Sequence, residues 1–121
     1  MPETELKLLI VDNADDARTV REMIESTAGP RFHIETAETL VSALNVLARH
    51  SFDVVLMELV LTDSQGLATF ETIQRHSHGV PIVIHTGMAN EIQALTAVER
   101  GAQDYLMKGK PGCQALVRVL Q

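Results

Sequence analysis

Leu6-Lys7-Leu8-Leu9-Ile10-Val11 is a short apolar run that stops abruptly at Asp12-Asn13. It is too short for a core helix and rich in branched side chains, so it reads as a buried strand. Asp15 and Asp16 suit the start of a helix, where carboxylates accept free backbone N–H groups. Ala17, Val20 and Ile24 continue at helical spacing until Ala28-Gly29-Pro30. The same alternation then repeats along the chain. Phe32-His33-Ile34-Glu35-Thr36 reads as a less buried strand, and Leu40, Ala43, Leu44, Leu47 and Ala48 mark a helix. Phe52-Asp53-Val54-Val55-Leu56-Met57 is a third strand ending at Glu58. Past the loop Thr62-Asp63-Ser64-Gln65-Gly66, a helix carries Leu67, Phe70 and Ile73. Pro81 opens strand four, Ile82-Val83-Ile84-His85, at a position where no central ladder bond is lost. Ile92, Leu95 and Val98 give a fourth helix, stopped by Gly101. Asp104-Tyr105-Leu106-Met107 is strand five, and residues 113–121 form a short last helix.

Strands alternating with helices predict an α/β fold with a parallel sheet. Strands one, three and four lack polar alternation, which implies helices on both faces. Right-handed crossovers and the short length favour an open doubly wound sheet over a closed barrel. The chain of 121 residues has room for one domain, 1–121. A formal charge of −6 argues against direct binding of nucleic acid or an anionic membrane. The single cysteine, Cys113, permits no internal disulfide and no cysteine zinc cluster. The acidic start and the lack of a long apolar run fit a cytoplasmic setting.

In open α/β sheets the working site lies beyond the carboxyl ends of the strands, where strand order reverses. Here those ends carry Asp12, Asn13, Glu58, Thr86 and Lys108. Paired carboxylates suit a hard cation such as Mg²⁺. A nearby Lys and Thr suit the oxygens of a phosphoryl group. Phosphoryl chemistry, or the remains of it, is the implied class. A flavin or nucleotide site would need a phosphate-cradling first turn, and Asp12-Asn13-Ala14-Asp15-Asp16 is acidic instead.

Val11-Asp12-Asn13 after an apolar strand resembles the acidic turn of response regulator receiver domains. Phe52 to Glu58, followed by Asp63-Ser64-Gln65-Gly66-Leu67, resembles their phosphoacceptor strand and loop. Pro81-Ile82-Val83-Ile84-His85-Thr86-Gly87 resembles the strand ending in the switch Thr, and Gly101 to Lys108 the strand with the switch aromatic, Tyr105, and the site Lys. The resemblance implies a flavodoxin-like sheet of order 2-1-3-4-5 flanked by five helices, and a place in two-component signalling. It puts the phosphoacceptor position at Glu58, with Thr86, Tyr105 and Lys108 as its switch and site partners. It puts the metal position at Asp12, Asn13, Glu58 and the backbone of Val60. It implies a histidine kinase or another protein partner, and an output face on the fourth helix, fifth strand and last helix. That face could also form a homodimer, and an effector domain could follow Gln121.

Three positions depart from the family pattern. Glu58 stands where the acceptor Asp belongs, Asn13 where the second acid belongs, and Gly109 where Pro follows the Lys. Glu reaches about 1.5 Å further than Asp, and an error of about 1 Å can cost ~10²-fold in a positioned reaction. Asn13 removes a charge, so Asp12, Glu58 and Lys108 leave one net negative charge. The reading is a pseudo-receiver that works as an interaction module, with Mg²⁺ held weakly. The rival is an active receiver that accepts phosphate at Glu58 or another site. Glu58 would partly mimic a phosphoryl group by approaching Lys108 and Thr86, and Tyr105 would turn inward behind Thr86. Asp63 reads as a loop cap and His76-Ser77-His78 as a solvated turn. His85 points to the sheet face opposite Thr86 by strand alternation.

Overall fold

The computed structural model describes residues 5–27, 31–109 and 118–120. In chain order these form β1 (Leu6–Val11), α1 (Ala14–Glu25), β2 (Phe32–Ala37), α2 (Leu40–Arg49), β3 (Val54–Met57), α3 (Leu67–His76), β4 (Ile82–Thr86), α4 (Glu91–Glu99) and β5 (Asp104–Met107). A single 3-10 turn, Met88–Asn90, precedes α4. Residues 118–120 are helical. The expected stop at Ala28-Gly29-Pro30 and most of the expected last helix, with Cys113, lie outside the described residues.

All strand pairs are parallel, in the order β2-β1-β3-β4-β5. This is the flavodoxin-like order, and its reversal lies between β1 and β3. Burial explains the pattern of each strand. β3 is buried at every position, because the central strands are covered on both faces. β2 lies at the sheet edge and is only partly buried.

Side chains of successive residues alternate between two cores. Leu9, Val11, Val55, Met57, Ile82 and Ile84 pack with Phe70 and Ile73 of α3 and Ala94 and Ala97 of α4. Leu8, Ile10, Leu56 and Val83 pack with Ala17, Val20 and Ile24 of α1 and with Leu120. Full burial of one such large side chain, Phe70 for example, contributes about 1.5–3 kcal/mol.

Two local readings are corrected by the structure. The cap of α1 is Asn13, whose side chain accepts from the Asp16 N–H; Asp15 and Asp16 sit inside the first turn. A neutral amide oxygen satisfies the orphan donor as well as a carboxylate does. In α4 the apolar residues that mark the helix do not all face the core. Ile92 is 80% exposed and Leu95 45%, while Ala94 and Ala97 are fully buried. Small residues let this helix approach the sheet closely, and the large ones are left outside. Gly101, at φ 120°, then ends α4 in a backbone region that side-chain-bearing residues avoid.

Candidate functional site

The carboxyl ends of β1, β3, β4 and β5 bring Asp12, Glu58, Thr86 and Lys108 together. Each lies at or just beyond the last residue of its strand, so the parallel register aligns them on one rim. At the centre is the Lys108 ammonium. Its Nζ lies 2.8 Å from Asp12 Oδ2, 2.8 Å from Glu58 Oε1 and 2.8 Å from Asp16 Oδ2. An ammonium has three N–H donors, and here each has its own carboxylate.

The other oxygen of Glu58 is equally engaged. Oε2 accepts the backbone N–H of Leu59 at 2.6 Å and of Val60 at 3.1 Å. It also accepts the Thr86 hydroxyl in a short hydrogen bond. Thr86 is fully buried, and Asn90 Nδ2 donates to its hydroxyl oxygen at 3.3 Å. A continuous polar chain therefore runs from Lys108 through Glu58 and Thr86 to the turn before α4.

The titration behaviour follows from three anions sharing one cation. Burial alone would lower the pKa of Lys108, but the hydrogen bonds it donates to Asp12, Asp16 and Glu58 raise it above the ordinary lysine value. Burial is the largest influence on Asp12 and raises its pKa, despite the opposing pull of Lys108. The cation is saturated, whereas the most enclosed carboxylate has only a share of it. Asp16 is more exposed, and its bonds to Lys108 and Asn13 hold its pKa below the ordinary value.

Asn13 is close to the cluster, but its oxygen is turned away from it. That oxygen caps α1, while its Nδ2 donates to Asp12 Oδ1 at 3.3 Å and to Asp16 Oδ2 at 3.0 Å. Val60 presents its N–H to Glu58 Oε2, a contact that leaves its carbonyl oxygen out of the network. Asp12 and Glu58 are thus engaged by the Lys108 ammonium and the Asn13 oxygen by the α1 cap, so these donors are already committed in this geometry. No group of three or more His, Cys, Asp or Glu suited to a metal occurs among the described residues.

Tyr105 is half-buried and packs against the core on the Thr86 side of the sheet. His85 occupies the opposite side, as alternation required. It lines a cleft of about 210 Å³ with Asp16, Thr19, Val20, Met23, Lys108 and Gly109. Its Nδ1 is buried and has no hydrogen-bond partner among the described residues. Burial, reinforced by the nearby Lys108 charge, lowers the His85 pKa to about 4. Asp63 is a cap, though of a distant helix: its carboxylate accepts the N–H groups of Leu40 and Val41 at the start of α2, at 2.8 and 3.0 Å. His76 is tied to its own helix through Nδ1 and the Thr72 carbonyl, at 2.8 Å.

Sequence reasoning missed Asp16 and Asn90. Asp16 changes the charge count, because it adds a third carboxylate and brings the cluster to two net negative charges. The signal was available in its spacing, one helical turn beyond Asp12 and Asn13. Asn90 lies in a turn whose path could not be read from residue type.

A family model described as the response regulator receiver domain matches residues 8–119. The chain is 35% identical over 104 residues to the response regulator protein PilR of Pseudomonas aeruginosa, covering 84% of this chain and 22% of that protein. It is 29% identical to the acid tolerance regulatory protein ActR of Rhizobium meliloti, covering 94% of this chain and 58% of ActR. The chain thus spans less than two thirds of either relative. Among solved structures it is similar to the receiver domain of the sensor histidine kinase PA1611 of Pseudomonas aeruginosa, at 25% identity and a TM-score of 0.77. That match covers 98% of this chain and 96% of the other, whose active-site cleft coordinates a magnesium ion. No helix among the described residues is long and apolar enough to cross a membrane. With the matching order of strands and the matched span of residues 8–119, the chain belongs to the response regulator receiver domains of two-component signalling.

Proposed function

We propose that this receiver domain is a phosphorylation-independent interaction module. One observation carries the reading: the Glu58 carboxylate already holds Lys108, Thr86 and the Leu59 and Val60 N–H groups at once. Lys and hydroxyl donors suited to phosphoryl oxygens are therefore committed to a side chain of the protein itself. An incoming phosphoryl group would have to displace Glu58 from Thr86 and compete with three carboxylates for Lys108.

Glu58 acts as a partial phosphoryl mimic. It carries one charge and two oxygens, against about −1.5 to −2 and three oxygens for a phosphoryl group. Thr86 is drawn toward it, and Asn90 links Thr86 to the turn that leads into α4. On the outer side of that turn and helix, Met88, Ile92 and Leu95 are exposed at helical spacing. This face is the output surface, and its partner is a protein of the same pathway, whether a separate chain, a second copy or an effector domain.

Mass spectrometry after incubation with acetyl phosphate and Mg²⁺ tests the reading. Wild-type protein should gain no phosphoryl adduct. Glu58→Asp combined with Asn13→Asp should recover part of the labelling, and each single change less. The two residues share one site, so their effects should not add. Efficient labelling of wild type at Glu58 would establish an active receiver instead.

A further inference from the structure

Asp16 touches two members of the site without lying at a strand end. Its Oδ2 accepts from Lys108 Nζ at 2.8 Å and from Asn13 Nδ2 at 3.0 Å. Its backbone N–H donates to Asn13 Oδ1 at 2.8 Å. Asn13 and Asp16 thus form a reciprocal pair at the start of α1, and one arm of that pair continues to Lys108. Asp12 and Glu58 are fixed by the sheet; Asp16 is the carboxylate of the three that a helix carries. Asn13 cannot perform this role, because its oxygen is used in the cap and its amide nitrogen is a donor.

We propose that Asp16 is a positioning residue that orients Lys108 and couples it to the first turn of α1. A change in what Lys108 holds is then transmitted in two directions: through Glu58 and Thr86 toward α4, and through Asp16 and Asn13 to α1. The proposal does not depend on whether the domain is phosphorylated. Lys108 is enclosed, with its side chain 20% exposed, so the third contact shields an amine that is otherwise reachable.

Competitive labelling with an amine-reactive ester at mildly alkaline pH tests it, with the exposed Lys7 of the same molecule as reference. Asp16→Asn should raise the relative labelling rate of Lys108 about threefold to fivefold, the effect of losing one partly exposed ion pair. Asp15→Asn should leave it unchanged, because Asp15 pairs with Arg18 in the same turn. The conservative change Asp16→Glu keeps a carboxylate in the first turn of α1 within reach of Lys108. It should keep a rate near that of wild type, which a purely structural role for Asp16 would not explain. Hydrogen exchange supplies the second readout. Asp16→Asn and Lys108→Met should each speed exchange in the first turn of α1, and the double variant should add nothing further. Unchanged Lys108 labelling in Asp16→Asn would overturn the proposal. So would an Asp16→Glu variant that shows the full raised rate while its circular dichroism is native, or additive exchange effects. If Asp16→Asn does not fold, Lys108→Met decides, and unchanged exchange at α1 in that variant overturns the coupling.

Discussion

Glu58→Gln keeps the shape of the side chain and removes its charge. In the native site four donors converge on the carboxylate: the Leu59 and Val60 N–H groups, the Thr86 hydroxyl and the Lys108 ammonium. Gln has one acceptor oxygen and one donor nitrogen. If the oxygen keeps the backbone groups and Thr86, the nitrogen faces the Lys108 ammonium, donor against donor. The reverse orientation strands the two backbone N–H groups. Either way a charge-assisted hydrogen bond is lost, worth about 1.5–3 kcal/mol. Relief of repulsion with Asp12 offsets part of this, but Glu58 is the smallest of the influences acting on Asp12. The net destabilisation should be about 1–2 kcal/mol. For a 121-residue domain at about 2.1 cal/mol/K per residue, the melting temperature should fall by about 4–8 °C. Calorimetry or circular dichroism measures that shift. The chain has one tyrosine and no tryptophan, so its intrinsic fluorescence belongs to Tyr105. Release of Thr86 should shift Tyr105 outward and make it more accessible to a collisional quencher. A Glu58→Gln protein as stable as wild type would refute the reasoning, since the carboxylate would then cost as much in burial and mutual repulsion as its bonds contribute. A lower melting temperature with unchanged Tyr105 quenching would reduce Glu58 to a scaffold residue.

Acid should destabilise the domain through His85. Its folded pKa of about 4 lies below the ordinary 6.5, so the unfolded chain binds the proton more readily, and stability is full above about pH 6.5 and lost as pH falls toward 4. The shift corresponds to at most about 3 kcal/mol, reduced because the ring is partly exposed. Urea midpoints of wild type and His85→Phe should therefore diverge across this window, and parallel curves would exclude His85 as the cause. Asp63→Ala should lower the melting temperature and speed hydrogen exchange at Leu40 and Val41, because it removes the acceptor of both N–H groups; Asp63→Asn should do so less. Calorimetric titration should show Mg²⁺ binding to wild type no tighter than millimolar, since the Lys108 ammonium already holds the carboxylates. Sub-millimolar affinity would contradict that.

The order of elements, the parallel sheet and the rim residues Asp12, Glu58, Thr86 and Lys108 could be read from the chain. The physical reason is local. Apolar runs of strand length ending in single polar residues specify a buried parallel sheet, and such a sheet places all its strand ends on one edge. The face of His85 followed from the same alternation. The orientation of Asn13, the exposure of Ile92 and Leu95, and the membership of Asp16 and Asn90 in the polar network depended on tertiary packing. Helical periodicity shows that residues share a face but not which face meets the sheet, and Ala94 and Ala97 won that contest because small side chains permit closer approach. An amide such as Asn13 presents a donor and an acceptor at similar cost, so only its neighbours in space decide which one faces the site. The sequence also left one net negative charge at the rim, whereas the folded chain brings a third carboxylate from α1 to the same ammonium. That gathering is a property of where the first helix leaves the sheet, and no residue type encodes it alone.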